Sequence, residues 1–173
     1  MKEERGLTQV YTGDGKGKTT AALGLALRAV GQGMKVIVIQ FVKGDCLCGE
    51  HFFTSKHHCF KIVQLNTKNS FNKSEEELRS ATRQTLAFAK KTIIRGSYDM
   101  VILDEIFVAQ NKKLISIEQI LDLISKKPEN MELILTGRGG PEEIIEKADL
   151  VTKMLEVKHP LTKGIQARRG IEY

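Results

Sequence analysis

Six short apolar runs rich in β-branched residues punctuate the chain: Thr8–Thr12, Lys35–Phe41, Phe60–Leu65, Met100–Leu103, Met131–Thr136 and Leu150–Leu155. Longer segments, most of them with helical periodicity, separate these runs. Strands alternating with helices are the signature of βαβ units, which predicts an α/β fold with a mainly parallel sheet flanked by helices. Thr19 to Val30 is apolar or small almost all round and stops at Gly31 and Gly33, which predicts a buried helix closed by glycine. Ser74-Glu-Glu-Glu77 carries a capping-box pattern, and Leu78, Ala81, Thr85, Phe88 and Thr92 follow at helical spacing. Ser116-Ile-Glu-Gln119 repeats that logic ahead of Ile120, Leu121 and Ile124, and Pro141-Glu-Glu143 opens a last helix with acids near its positive end.

Chemistry concentrates between these elements. Thr12-Gly-Asp-Gly-Lys-Gly-Lys-Thr-Thr20 lies directly after the first strand and directly before the glycine-capped helix, the setting of a phosphate-binding loop. Gly13, Gly15 and Gly17 let backbone N–H groups face a polyphosphate, with Asp14, Lys16 and Thr20 between and beside them. The helix N-terminus adds roughly half an elementary positive charge and Lys18 a full one, while the Thr19 hydroxyl can ligate magnesium. The loop is one residue short: three residues separate Gly13 from Gly17, and Thr12 stands where a standard loop has its first glycine. Met100-Val-Ile-Leu-Asp-Glu105 ends a strand in two carboxylates, and an acid on a strand beside the P-loop strand can hold magnesium. Thr136-Gly-Arg-Gly-Gly140 follows another strand at the edge where such sheets bind ligands, which makes Arg138 a candidate nucleotide contact. Loop and alternation together predict a single-domain P-loop NTPase-like, RecA-like fold over residues 1–173.

The composition narrows the function classes. The chain of 173 residues is 41% hydrophobic and 28% charged, enough to form a core, and its longest apolar stretch is far below the roughly 18 residues of a membrane span. The mixed-charge N-terminus lacks an apolar signal core, so a cytoplasmic location is expected. A net charge of +6 is spread over helices of both signs, and no Trp is available for base stacking, which disfavours nucleic acid as a partner. Cys46, Cys48 and Cys59 share a segment with His51, His57 and His58, but their spacing does not match a structural zinc site, and a variable loop with free thiols is expected.

On these residues the chain resembles the corrinoid adenosyltransferases of the bacterial CobA/CobO/BtuR type. The resemblance rests on the short loop from Gly13 to Thr20, Gln40-Phe-Val-Lys-Gly44, Val101 to Glu105, Thr136-Gly-Arg138, and Lys158-His-Pro160 through Gly164-Ile-Gln-Ala-Arg-Arg-Gly-Ile-Glu-Tyr173. It implies transfer of the 5′-deoxyadenosyl group of ATP to the Co(I) of a reduced corrinoid, with release of triphosphate. It further implies Lys18 on the leaving group, Thr19 and Glu105 on magnesium, a homodimer, and a reductase that supplies Co(I). The aromatic patch by which other members contact the corrinoid corresponds here to Gln64-Leu-Asn-Thr-Lys-Asn-Ser-Phe71, leaving Phe71 as the aromatic candidate. The alternative is a P-loop ATPase or nucleotide-dependent switch acting on a protein or nucleic acid. Asn111-Lys-Lys-Leu114 lacks the Asp of a guanine-reading motif.

Overall fold

A computed structural model describes residues 5–42, 47–66 and 74–173. Six strands, β1 (Thr8–Thr12), β2 (Val36–Gln40), β3 (Lys61–Gln64), β4 (Met100–Asp104), β5 (Glu132–Thr136) and β6 (Leu150–Lys153), form one sheet in the order β3-β2-β4-β5-β1-β6. Every pairing is parallel. Successive residues of a strand point to opposite faces, and the sheet uses both. Val36, Val38, Met100, Ile102 and Ile134 face one cluster with helix α1 (Lys18–Gly31). Ile37, Ile39, Val101, Leu103, Leu133 and Leu135 face another. That second cluster includes Leu86, Ala89 and Ile93 from α3 (Glu75–Arg95), Ile106 and Phe107 from α4 (Ile106–Asn111), Ile120 and Leu123 from α5 (Ile117–Ser125), and Ile144 from α6 (Glu142–Lys147). Burial on both faces is why β2, β4 and β5 read as continuous apolar runs.

Both predicted capping boxes form. The Ser74 N–H donates to Glu77 Oε2 at 3.0 Å while Ser74 Oγ accepts from the Glu77 N–H at 3.2 Å. Ser116 and Gln119 repeat the exchange at 2.9 and 3.3 Å.

Three expectations change. Helix α1 is not buried all round: Ala22, Ala26 and Ala29 lie on the sheet, whereas Leu27 is 59% exposed. Small side chains bring the helix backbone close to the strands, and the opposite face points outward. The segment read as a variable loop contains helix α2 (Gly49–His57), whose first turn is closed by Cys48 and His51 in a capping box. Finally, the carboxylate-bearing β4 is not beside the P-loop strand, because β5 lies between β4 and β1. Strand order follows from where each crossover helix packs, which run lengths do not encode.

Candidate active site at the P-loop

β1 delivers the chain into the loop at Thr12, whose buried hydroxyl accepts from the Gly140 N–H at 2.9 Å. The threonine in place of glycine therefore ties the loop to the turn that follows β5. The loop also lies against the end of β6. The Gly15 N–H donates to the Met154 carbonyl at 2.9 Å, and the Met154 N–H donates to the Thr12 carbonyl at 2.8 Å. At Gly13, with φ +99°, a Cβ would stand 2.3 Å from the Met154 carbonyl oxygen, so both the backbone angle and the close approach demand glycine.

Lys18 opens α1 and curls back over the loop, donating to the Gly13 and Gly15 carbonyls at 2.7 Å each. Burial lowers the pKa of its ammonium, Arg138 lowers it further, and Asp14 and Glu105 oppose the shift. Thr19 points toward the sheet and donates from Oγ1 to Asp104 Oδ1 at 2.8 Å. Asp104, fully buried at the end of β4, also accepts from Thr136 Oγ1 on Oδ1 at 2.7 Å and from Gln40 Nε2 on Oδ2 at 3.2 Å. Thr19 thus ties the P-loop helix directly to the carboxylate, and Thr136 ties β5 to the same oxygen. Glu105 follows with φ +59°, a left-handed conformation that costs a non-glycine residue on the order of 1 kcal/mol. Its N–H donates to Thr136 Oγ1 at 3.0 Å, which fixes the bend that carries its side chain away from the strand direction.

These residues open on a cavity of about 660 Å³ lined by Gly15 to Thr20, Glu105 and Arg138, together with Leu23, Gly49, Glu50, His159 and Gly170 to Tyr173. The C-terminal residues reach the loop through an ion pair between Lys16 Nζ and Glu172 Oε1 at 2.7 Å. Arg168, paired with the same carboxylate at 3.1 Å, and Lys16 hold the Glu172 pKa down to about 2. Arg138 is exposed at the rim, where its carbonyl accepts from Asn111 Nδ2 at 2.8 Å, so the asparagine serves the turn.

Comparison with known proteins decides what such a pocket belongs to. The profile of the family described as ATP:corrinoid adenosyltransferase BtuR/CobO/CobP matches residues 4–173. A corrinoid adenosyltransferase of Escherichia coli (strain K12) is 37% identical over 172 residues, covering 99% of this chain and 88% of the relative. Corrinoid adenosyltransferase CobA of Salmonella typhimurium is 35% identical over the same length with the same coverage. A corrinoid adenosyltransferase of Pseudomonas aeruginosa is 32% identical over 174 residues, covering 99% of this chain and 86% of the relative. The chain belongs to the ATP:corrinoid adenosyltransferase family. It is a transferase whose substrates are ATP and a corrinoid.

Of the site residues expected from the adenosyltransferase sequence, Gly15, Lys16, Gly17, Lys18, Thr19, Thr20, Glu105 and Arg138 line one cavity. Gly13 and Asp104 are buried behind it, and Asp14 is exposed beside it. Phe71 and Cys46 lie outside the described residues. Sequence reasoning missed Gln40 and Thr136 as partners of Asp104, Glu50 and His159 as lining residues, and the contact of Glu172 with Lys16. Gln40 and the C-terminal residues were visible as parts of distinctive motifs, but nothing in a linear pattern says what they touch.

Proposed function

We propose that this pocket binds ATP through the P-loop and transfers its 5′-deoxyadenosyl group to the cobalt of a reduced corrinoid, serving adenosylcobalamin biosynthesis or salvage. The observation that carries the reading is the convergence of Lys18, Thr19 and Glu105 on a cavity bordered by the family's distinctive C-terminal segment. The Co(I) electron pair forms the bond to C5′ as the C5′–O bond breaks, and that bond's electrons leave with triphosphate. Cobalt is formally oxidised to Co(III), and no protein base is needed. What the chain must supply is position and stabilisation of the departing charge. Lys18 does this by exchanging its two carbonyl acceptors for phosphate oxygens, and Lys16 and Arg138 add positive charge at the rim.

The Thr19 hydroxyl and the Asp104 and Glu105 carboxylates are hard oxygen donors grouped at the start of α1 and the end of β4, a set that suits Mg²⁺. Bound there, magnesium would neutralise charge on the polyphosphate. We also read the protein as a homodimer. Leu155, Val157, Leu161 and Ile165 are all exposed along the C-terminal segment, Val157 by 85%, beside the edge strand β6. Among the described residues no helix is long and apolar enough to cross a membrane, and we place the enzyme in the cytoplasm, with a reductase as the source of Co(I). The test is an anaerobic assay with ATP, magnesium and chemically reduced cobalamin. A light-sensitive alkylcobalt product with triphosphate supports the reading, whereas ADP without cobalt alkylation would make the P-loop a hydrolytic one.

A further inference from the structure

We propose that His51 is a positioning residue for this active site, holding the Asp104 carboxylate in place through the buried Gln40 amide. This rests on the reading of Thr19, Asp104 and Glu105 as the magnesium-holding set.

One donor whose role is fixed orders the whole chain of contacts. The Cys48 backbone N–H donates to His51 Nδ1 at 3.1 Å, so Nδ1 is the acceptor and the network assigns the ring proton to Nε2. Nε2 lies 3.0 Å from Gln40 Oε1 and therefore donates to it. With its oxygen committed, the Gln40 amide presents its NH₂ to Asp104 Oδ2 at 3.2 Å. The reversed amide would set a carbonyl oxygen against a carboxylate in a place where Gln40 and Asp104 are both fully buried. Buried polar groups turned the wrong way are costly because no water replaces the lost partner. His51 thus selects the amide orientation that supports the carboxylate, whose other oxygen holds Thr19 and Thr136.

The same geometry disposes of a rival reading. Cys48, Glu50 and His51 bring ligating atoms within 4.8 Å of one another, as a metal site would. Both ring nitrogens of His51 are already engaged, one by the helix cap and one by Gln40. The first turn of α2 instead does two jobs: Gly49 and Glu50 line the nucleotide cavity, and His51 reaches behind it to Gln40 on β2.

The test compares His51→Asn, which keeps an acceptor at the Nδ1 position and loses the Nε2 donor, with His51→Gln, which can return an N–H to the Nε2 position. Outer-shell partners of metal ligands typically affect affinity or activity by 10- to 100-fold. His51→Asn should weaken Mn²⁺ binding to the ATP complex, read by electron paramagnetic resonance, about tenfold. It should lower kcat by a similar factor with the KM for ATP changed less than twofold, and His51→Gln should restore part of both losses. A ¹⁵N spectrum of the wild-type imidazole should show the Nε2–H form. Unchanged Mn²⁺ affinity and kcat in His51→Asn, or an Nδ1–H ring in the spectrum, overturns the proposal. A wild-type protein that fails to alkylate cobalamin defeats the functional reading, while the imidazole spectrum still judges the contact chain by itself.

Discussion

Replacing Thr136 with valine tests the bridge between β4 and β5 most directly. The Thr136 hydroxyl donates to buried Asp104 Oδ1 at 2.7 Å and accepts from the Glu105 N–H at 3.0 Å, and valine preserves shape and β-branching while deleting both contacts. A hydrogen bond to a charged group contributes about 1.5–3 kcal/mol, and an amide N–H left without a partner costs about 1–3 kcal/mol. The Glu105 amide is only partly buried, so we take the lower part of each range and expect a loss of about 3 kcal/mol. For a chain of this size that corresponds to a fall in Tm of about 6–12 °C. Thr136→Ser is the control: it keeps the hydroxyl and loses one buried methyl, at a cost of about 1 kcal/mol. Urea titrations of the three proteins give the order, which should be wild type, then serine, then valine. If Thr136 mattered only for packing, valine would be more stable than serine, and that order would refute the account of the bridge. Freeing the Glu105 bend should also lower kcat in Thr136→Val more than in Thr136→Ser.

Other consequences are open to direct measurement. Lys18→Ala should leave Tm nearly unchanged, since the ammonium sits on loop carbonyls rather than in the core, but should slow adenosyl transfer by at least about 100-fold; a near-normal rate would remove Lys18 from the leaving-group role. Glu105→Gly should uncouple stability from activity, holding or raising stability by up to about 1 kcal/mol by relieving the left-handed strain while abolishing efficient transfer. Urea titration and the cobalamin assay check the two halves separately. The Glu172 carboxyl has a depressed pKa in the folded protein, so its contribution is present above the ordinary value of 4.5 and is lost as pH falls toward about 2. Exchange protection at Gly170–Tyr173, taken relative to the intrinsic amide rate at each pH, should therefore fall across that window in wild type and be already low at neutral pH in Glu172→Gln. High salt should produce the same loosening, because the Lys16 and Arg168 pairs are exposed to solvent.

Much of this was legible in the linear pattern because the forces involved are local. The glycines of the loop, the serines that cap α3 and α5, and the apolar runs of the buried strands each act on neighbours within a few residues, and each appears where its spacing placed it. The α2 segment was misread for the same reason in reverse. Its cap uses Cys48 and His51 where serine and glutamate are usual, so a helix start looked like a cysteine-rich loop. The expected all-round burial of α1 failed because composition reports which residues are apolar and not which side finds a neighbour, as exposed Leu27 shows.

By itself, then, the sequence determined the α/β class, the glycine-rich loop between β1 and α1, the two carboxylates at the end of β4 and the family. Each depends on residue type and short spacing along one chain. Only the tertiary structure decided that β5 sits between β1 and β4, that Thr136 ties β5 to the Asp104 carboxylate, and that Gln40, His51 and Glu172 join the site. Those facts depend on the order in which crossovers lay strands side by side, which brings together residues as distant in the chain as Lys16 and Glu172. Such neighbours are selected by the global packing of buried faces, and no local spacing carries that information.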